Sequence, residues 1–118
     1  MAYRLAEIAE KPVRNVIGLI SGTSMDGIDA ALVRIEGGGI GLKFEVLAHE
    51  TYGYPPATIE AVASISAPDR GTTGEICRLN FWLGRLFADA ARSIAEKAGV
   101  PLDKVDVIGC HGQTICHL

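Results

Sequence analysis

The sequence of 118 residues predicts one α/β domain, or part of one, built on a mixed sheet. Short apolar runs separated by glycine-rich turns fill the first half of the chain, a pattern typical of consecutive strands. The second half instead repeats its apolar residues at helical spacing. One more apolar run follows, and the order strand, helix, strand favours its parallel pairing with the sheet.

Three strands are predicted in the first half. Residues 16–20 form a short apolar run that stops at the polar, glycine-containing stretch 21–27. In residues 28–36 polar side chains alternate with apolar ones, and the glycines at 37–39 supply the next turn. Alternation resumes over residues 43–49, and these strands together form an antiparallel meander. The side chains expected to point inward in the third strand are Phe44, Val46 and Ala48.

Two helices are predicted in the second half. The first begins after the prolines at 55–56 and ends before Pro68. The second begins at a capping box formed by Thr72 and Glu75, and it ends at Gly99. The side chains of this long helix that are expected in the core are Ile76, Leu79, Trp82, Leu83, Leu86, Phe87, Ala90, Ile94 and Ala98.

Residues 105–109 are predicted as a fourth strand. Helices on one face would leave the other face of this sheet without a covering layer. The chain then reaches residues 115–118 without the Gly, Pro or charged tail that usually closes a domain. We therefore expect residues 1–118 to be the start of a longer protein.

Composition excludes several classes of protein. Eleven Lys and Arg residues against 14 Asp and Glu residues give a formal net charge of −3, without a basic block that could neutralise a run of phosphates. We therefore expect no nucleic-acid partner. The apolar runs are shorter than the roughly 20 residues that cross a bilayer, so no membrane partner is expected. The charged first turns and the odd number of cysteines, 3, favour a cytoplasmic protein.

The stretch between the first two strands carries the strongest chemical signal. A strand, a turn with glycines at 22 and 27, and a returning strand bring several backbone N–H groups together, and such a group can bind phosphate. The hydroxyls of Ser21, Thr23 and Ser24 can add hydrogen bonds, and Asp26 could hold a magnesium ion through its water shell. The alternative interpretation is a plain hairpin turn whose hydroxyls face water.

Two other interpretations of this stretch are rejected. It is not a P-loop, because the sequence contains no Gly-Lys-Ser/Thr and no helix is predicted directly after it. Residues 22–25 also look like the nucleophile segment of subtilisin-type proteases. In those proteins an acid and a histidine precede the serine, whereas the first histidine here is His49, which we expect to be a solvated strand residue.

A second polar motif, His111-Gly112-Gln113-Thr114, follows the fourth predicted strand, at the end where open α/β sheets bind their ligands. His111 and Gln113 carry donors and acceptors suited to a polyhydroxylated ligand such as a sugar. A hydrogen-bonded turn is the alternative interpretation. The Cys-His pairs at 110–111 and 116–117 match no familiar zinc spacing, so inert thiols are preferred.

Both motifs resemble segments of a known family. Residues 17–29, Ile-Gly-Leu-Ile-Ser-Gly-Thr-Ser-Met-Asp-Gly-Ile-Asp, look like the opening signature of the anhydro-N-acetylmuramic acid kinases. Residues 109–115, Gly-Cys-His-Gly-Gln-Thr-Ile, resemble the second segment of that family, although Cys116 stands where an apolar or aromatic residue is usual. The resemblance extends from Val16 to the end of the chain.

The resemblance implies the first half of a ribonuclease H-like fold of the acetate and sugar kinase, Hsp70 and actin superfamily, with residues 1–118 as the N-terminal part of the first kinase domain. It implies ATP and Mg²⁺ as cofactors, His111 and Gln113 as substrate-binding residues, and Asp26 on the metal side. A homodimer is the implied assembly. The residues that correspond to the loop gripping the ATP phosphates are Gly22, Thr23, Ser24, Met25, Asp26, Gly27, Ile28 and Asp29.

Members of the family add water across the anhydro bond of 1,6-anhydro-N-acetylmuramic acid and phosphorylate O6 during cell-wall recycling. The carboxylate base that activates this water lies in a later Gly-Asp-Phe-Arg-like segment, which residues 1–118 do not contain. We therefore expect no catalytic base in this chain and no activity from it alone. The alternative hypothesis is a non-catalytic binding module derived from that domain, whose exposed sheet face would require a partner chain. For the isolated chain we expect self-association or poor solubility.

Overall fold

The computed structural model describes residues 4–117. The two ends of the predicted domain, Met1 and Leu118, therefore lie outside the described residues. Two short 3₁₀ turns, Gly39–Gly41 and Leu102–Lys104, connect longer elements. No helix in residues 4–117 is long and apolar enough to cross a membrane. In chain order the longer elements are α1 (Arg4–Glu10), β1 (Val13–Ser21), β2 (Gly27–Glu36), β3 (Lys43–Gly53), α2 (Pro56–Ile65), α3 (Thr73–Ala98) and β4 (Val107–Gln113).

The strands form one mixed sheet in the order β3-β2-β1-β4. The pairs β1–β2 and β2–β3 are antiparallel, so the predicted meander is confirmed. The pair β1–β4 is parallel, because the chain returns through α2 and α3 before it enters β4. The predicted α/β fold with a mixed sheet is therefore confirmed.

Helices α2 and α3 pack on one face of this sheet and form a single hydrophobic core with it. Ile17, Leu32, Val62 and Ile94, which come from β1, β2, α2 and α3, are each 0% exposed. Burying an aliphatic side chain of this size stabilises the fold by about 1.5–3 kcal/mol. These apolar contacts between the layers fix the position of the helices above the sheet.

Both ends of α3 follow the predicted capping pattern. The Thr72 N–H donates to Glu75 Oε2 at 2.7 Å, the Glu75 N–H donates to Thr72 Oγ1 at 3.2 Å, and Gly99 ends the helix at a φ of 70°. Lys97 in the last turn donates to Glu50 Oε2 at 2.7 Å. That hydrogen bond and the charge of Lys97 lower the pKa of Glu50 and connect the end of α3 to β3.

Some element boundaries differ from the prediction. The predicted fourth strand, residues 105–109, is in fact β4 at Val107–Gln113, because pairing with β1 continues past a register shift between Leu19 and Ser21. Helix α1 was not predicted. It has no buried residue, so it lacks the apolar stripe by which a helix is found in a sequence.

Several side chains predicted in the core are instead exposed. Phe44 and Val46 are 68% and 49% exposed, because the register shift between Leu32 and Val33 pairs them with Ile35 and Val33, on the sheet face away from the helices. On α3, Ile76 is 42% and Trp82 is 40% exposed, whereas Phe87 is buried as predicted. Trp82 lies at the border of the core, where it lines a surface groove beside α2.

The face of the sheet opposite the helices is uncovered by the described residues, as predicted. Gly18 of β1, Ala31 of β2 and Gly109 of β4 are directly paired across the strands. They form a shallow floor there, because their side chains are absent or end at Cβ. His49 continues this row on β3 and is exposed, so its prediction as a solvated strand residue is confirmed.

The first strand is also connected to the start of β4 through Asp106. The Asp106 N–H donates to the Asn15 carbonyl at 2.9 Å, and the Asn15 N–H donates to Asp106 Oδ2 at 2.8 Å. Lys11 donates to Asp106 Oδ1. Burial alone would raise the pKa of Asp106, but the hydrogen bonds from Lys11 and Asn15 and the positive charge of Lys11 outweigh it, so this pKa is lowered.

We expect Asp106→Asn to lower the free energy of unfolding by about 1–2 kcal/mol at pH 7, because a charged acceptor of two hydrogen bonds is lost. The folded-state pKa of Asp106 lies below its ordinary value of 3.8. Its stabilisation is therefore complete above that value and is lost as the pH falls through the folded-state pKa. In urea unfolding, the difference from the wild type should shrink below about pH 4. A constant difference down to pH 2 would contradict this role, and the control Asp89→Asn, in an exposed pair with Arg92, should change stability by less than about 0.5 kcal/mol.

We expect Gly27→Ala to destabilise the start of β2 by about 1–3 kcal/mol, because its Cβ would lie 2.6 Å from the Tyr52 carbonyl oxygen. Gly53 pairs directly with Gly27 across the strands, and a Cβ there would meet no atom within 4 Å. Gly53→Ala is therefore the matched control and should change stability by less than about 0.5 kcal/mol. Urea unfolding measures both variants, and equal effects would show that the close approach at Gly27 is unimportant.

Candidate functional site

The loop between β1 and β2, residues 22–26, is a tight turn at one end of the two central strands of the sheet. The Met25 N–H donates to the Gly22 carbonyl at 3.2 Å, which closes the turn. Met25 has a φ of 55°, a left-handed conformation that costs a residue other than glycine about 1 kcal/mol. Its side chain is partly buried against the core, and this packing offsets the cost.

This loop presents several donors to solvent. Thr23, Ser24 and Asp26 are exposed, and in residues 4–117 no acceptor is found for their backbone N–H groups. The Ser24 hydroxyl donates to Asp26 Oδ1 at 3.0 Å, which leaves Asp26 Oδ2 without a hydrogen bond to the described residues. A loop with this set of neutral donors and one carboxylate can accept an anion together with a cation.

The exit of the loop is held rigidly against the start of α2. The Tyr54 N–H donates to the Asp26 carbonyl at 2.8 Å, and Gly27 lies directly against the Tyr52 backbone. Ile28 is 2% exposed, so of the predicted phosphate-binding residues it can offer a ligand no more than its backbone. Sequence reasoning missed Tyr54, although its position immediately before two prolines indicates a fixed backbone.

The phenol of Tyr54 is itself unusual. Its oxygen is buried and has no hydrogen-bond partner among the described residues. Burial raises the pKa of this phenol, while the nearby Ser21 hydroxyl acts in the opposite direction without reaching hydrogen-bonding geometry. Tyr54 therefore stays protonated and fills space beside Ser21 at the base of the loop.

The entry to the loop is connected to the second motif through Gln113. Ser21 Oγ donates to Gln113 Oε1 at 2.7 Å, and Gln113 Nε2 donates to the Gly22 carbonyl at 2.8 Å. The Thr114 N–H donates to the Ser21 carbonyl at 3.1 Å. The two motifs recognised in the sequence therefore lie in direct contact, although Ser21 and Gln113 are 92 residues apart.

His111 and Asp29 lie elsewhere, on the uncovered face of the sheet. Both line a shallow cavity of about 540 Å³, whose floor includes Gly18 and Gly109. The Thr51 hydroxyl donates to Asp29 Oδ1 at 2.6 Å, so Asp29 is oriented from β3. Thr51 was missed in the sequence, because pairing between strands and not spacing along the chain brings it to Asp29.

A second cavity, of about 220 Å³, lies beside the loop. Thr23 and Met25 line it from the loop, residues 66–68 line it from the segment after α2, and residues 114–117 line it from the chain after β4. The two cavities place polar groups on either side of the end of β4. One region is thus available to a ligand at the loop and another to a ligand on the open face.

The residues present fit a magnesium ion. Magnesium usually takes one or two carboxylates, with phosphate oxygens and water as the remaining ligands. Asp26 supplies one exposed carboxylate beside free N–H donors. Within residues 4–117 no group of three or more His, Cys, Asp or Glu side chains could hold a metal by itself. The site thus suits a metal that arrives with phosphate.

Comparison with known proteins identifies the family. The sequence model of the family described as anhydro-N-acetylmuramic acid kinase matches residues 14–118. A protein of that name from Caldanaerobacter subterraneus subsp. tengcongensis is 45% identical over 115 residues, which cover 98% of this chain and 29% of the relative. Proteins of the same name from Bacillus thuringiensis subsp. konkukian and Bacillus cereus are 40% and 41% identical over 102 residues, covering 86% of this chain and 27% of each relative. The chain thus spans less than a third of the length of these relatives, and it belongs to the anhydro-N-acetylmuramic acid kinase family.

Proposed function

We propose that this chain is the N-terminal part of the first domain of an ATP-dependent kinase that acts on 1,6-anhydro-N-acetylmuramic acid in cell-wall recycling. The observation that carries the proposal is the family match over residues 14–118, which includes both polar motifs. Their contact through Ser21 and Gln113 supports it, because a transferase must hold its two substrates next to each other.

In this proposal the loop and the start of β2, residues 22–28, hold the phosphates of ATP, whereas Asp29 lies on the open face. The N–H groups of Thr23, Ser24 and Asp26, which have no acceptor among residues 4–117, and the Thr23 hydroxyl donate to phosphate oxygens, while the Ser24 hydroxyl donates to Asp26. Asp26 would hold Mg²⁺ on the phosphate side, and a magnesium ion there would supply positive charge beside the transferred phosphoryl group. Met25, Gly27 and Ile28 shape the loop through its left-handed turn and its close packing.

The sugar lies on the other side of β4 and contacts His111. His111 lines the open-face cavity, where its ring can exchange hydrogen bonds with hydroxyls or an amide. Gln113 turns instead to Ser21 and the loop, where both of its N–H donors and one lone pair of Oε1 are used inside the chain.

The reaction needs water, sugar and ATP together. Water adds to the anomeric carbon as the bond from that carbon to O6 breaks, and O6 takes the γ-phosphoryl group to give N-acetylmuramic acid 6-phosphate and ADP. A carboxylate base receives the proton of the water. We place that base and a second domain in a later part of the polypeptide, and residues 4–117 supply the first phosphate loop. The full-length protein is proposed to be a cytoplasmic homodimer, and exposed free cysteines at 77, 110 and 116 suit a reducing compartment.

The proposal is tested with the full-length product of the gene that encodes this chain. Incubation with ATP, Mg²⁺ and 1,6-anhydro-N-acetylmuramic acid should release ADP and give one sugar 6-phosphate. Phosphorus NMR detects both products. N-acetylmuramic acid, which lacks the anhydro bond, is the control substrate and should react poorly. If the full-length protein binds ligands but transfers no phosphoryl group, the alternative of a non-catalytic binding module becomes the correct one.

We expect Asp26→Asn in the full-length enzyme to lower kcat by about 100-fold, because the carboxylate that holds the metal is lost while side-chain size is kept. Asp26 is exposed and its side chain bonds only to Ser24 among the described residues, so unfolding should be unaffected. The control is Asp103→Asn, in the 3₁₀ turn at the opposite end of β4, which should keep kcat. Steady-state kinetics at saturating sugar measure both variants, and unchanged turnover in Asp26→Asn would contradict the metal role.

A further inference from the structure

The side chain of Gln113 makes three hydrogen bonds inside the chain. Its Nε2 donates to the Gly22 carbonyl at 2.8 Å and to the Thr114 carbonyl at 2.7 Å, and its Oε1 accepts from Ser21 at 2.7 Å. A glutamine amide has two N–H donors and two lone pairs, so both donors are used. Its partner Ser21 is 1% exposed and cannot turn towards solvent.

The bond to the Gly22 carbonyl controls the loop through the peptide group between Gly22 and Thr23. That peptide is planar and trans, so its carbonyl and the Thr23 N–H point in opposite directions. The carbonyl is held on one side by Gln113 and by the Met25 N–H, which donates to it at 3.2 Å. The Thr23 N–H is thereby directed outward, where it has no acceptor among residues 4–117.

The geometry of β4 separates Gln113 from His111, although they are two positions apart. Strand alternation would place both side chains on one face. Gly112 interrupts it with a φ of 84°, opposite the register shift in β1 between Leu19 and Ser21. His111 consequently lines the open-face cavity, while Gln113 turns to Ser21 and the loop.

We propose that Gln113 is a positioning residue for the nucleotide, which directs the Thr23 N–H at a phosphate oxygen through the Gly22 peptide. This inference rests on the proposed function, since it assigns Gln113 to the nucleotide side of the kinase site. It predicts that Gln113 controls the affinity for ATP and leaves the affinity for the sugar to His111. No contact between Gln113 and the sugar is required.

Gln113→Glu in the full-length enzyme is the decisive variant. It keeps the length of the side chain and the acceptor for Ser21, but it removes both N–H donors and places a carboxylate against the carbonyls of Gly22 and Thr114. We expect the KM for ATP–Mg²⁺ to rise about tenfold or more and the KM for the anhydro sugar to change less than about twofold. His111→Ala should show the reverse pattern.

Two further variants separate positioning from loss of stability. Asn15→Asp makes the same amide-to-carboxylate change at the opposite end of β1, where Asn15 Nδ2 donates to the Lys104 carbonyl at 3.1 Å. It should leave the KM for ATP unchanged even where it lowers the melting temperature. Ser21→Ala releases Gln113 Oε1 without adding charge, and it should raise the KM for ATP by about threefold. It replaces Gln113→Glu as the test if that variant does not fold.

The outcomes distinguish this inference from the proposed function. A raised KM for the sugar with an unchanged KM for ATP in Gln113→Glu would overturn positioning and make Gln113 a sugar ligand. If the wild type transfers no phosphoryl group, the proposed function fails. The positioning role of Gln113 is then tested by the dissociation constant for ADP–Mg²⁺, measured by titration calorimetry. A tenfold weaker dissociation constant in Gln113→Glu supports positioning, whereas an equal value, or no nucleotide binding by the wild type, overturns it.

Discussion

Parallel pairing between β1 and β4 is the interaction on which the candidate site depends. It brings the loop after β1 next to the segment after β4, two parts of the chain that no local pattern connects. The pairing requires a crossover over one face of the sheet, and α2 and α3 supply it. The core between these helices and the strands therefore stabilises the site as well as the fold, because any slip of β4 along β1 would separate Ser21 from Gln113.

Side chains lock this pairing at both ends. Asp106 and Asn15 exchange hydrogen bonds where the strands begin, and Ser21 and Gln113 join them where they end. Bonds at the two ends of a strand pair set its register more firmly than backbone bonds alone, since a shift of one residue would break both. The hydrogen bonds of Gln113 fix the position of the loop at its entry. The hydrogen bond from the Tyr54 N–H to the Asp26 carbonyl fixes it at its exit.

The sequence predicted the elements that local patterns encode. Alternation identified the meander, the Thr72–Glu75 capping box located the start of α3, and the two motifs located the candidate site. It failed where neighbouring elements decide the outcome. The face on which Phe44 lies depends on a register shift between β2 and β3, and the side to which Gln113 turns depends on a break in alternation at Gly112. Neither property is visible in the order of apolar and polar residues.

Charge gives the loop its selectivity in the proposed function. Among residues 4–117, no lysine or arginine lines the cavity beside the loop, and the chain carries a formal net charge of −3. Neutral N–H groups can direct a phosphate but cannot neutralise it, and the exposed carboxylate of Asp26 would repel a free nucleotide. A bound Mg²⁺ reverses that repulsion, because the same carboxylate then attracts the ion that the phosphates share. A loop of this composition therefore favours the metal–nucleotide complex over the free nucleotide, and it does so with one acidic side chain where other phosphate sites use a basic one.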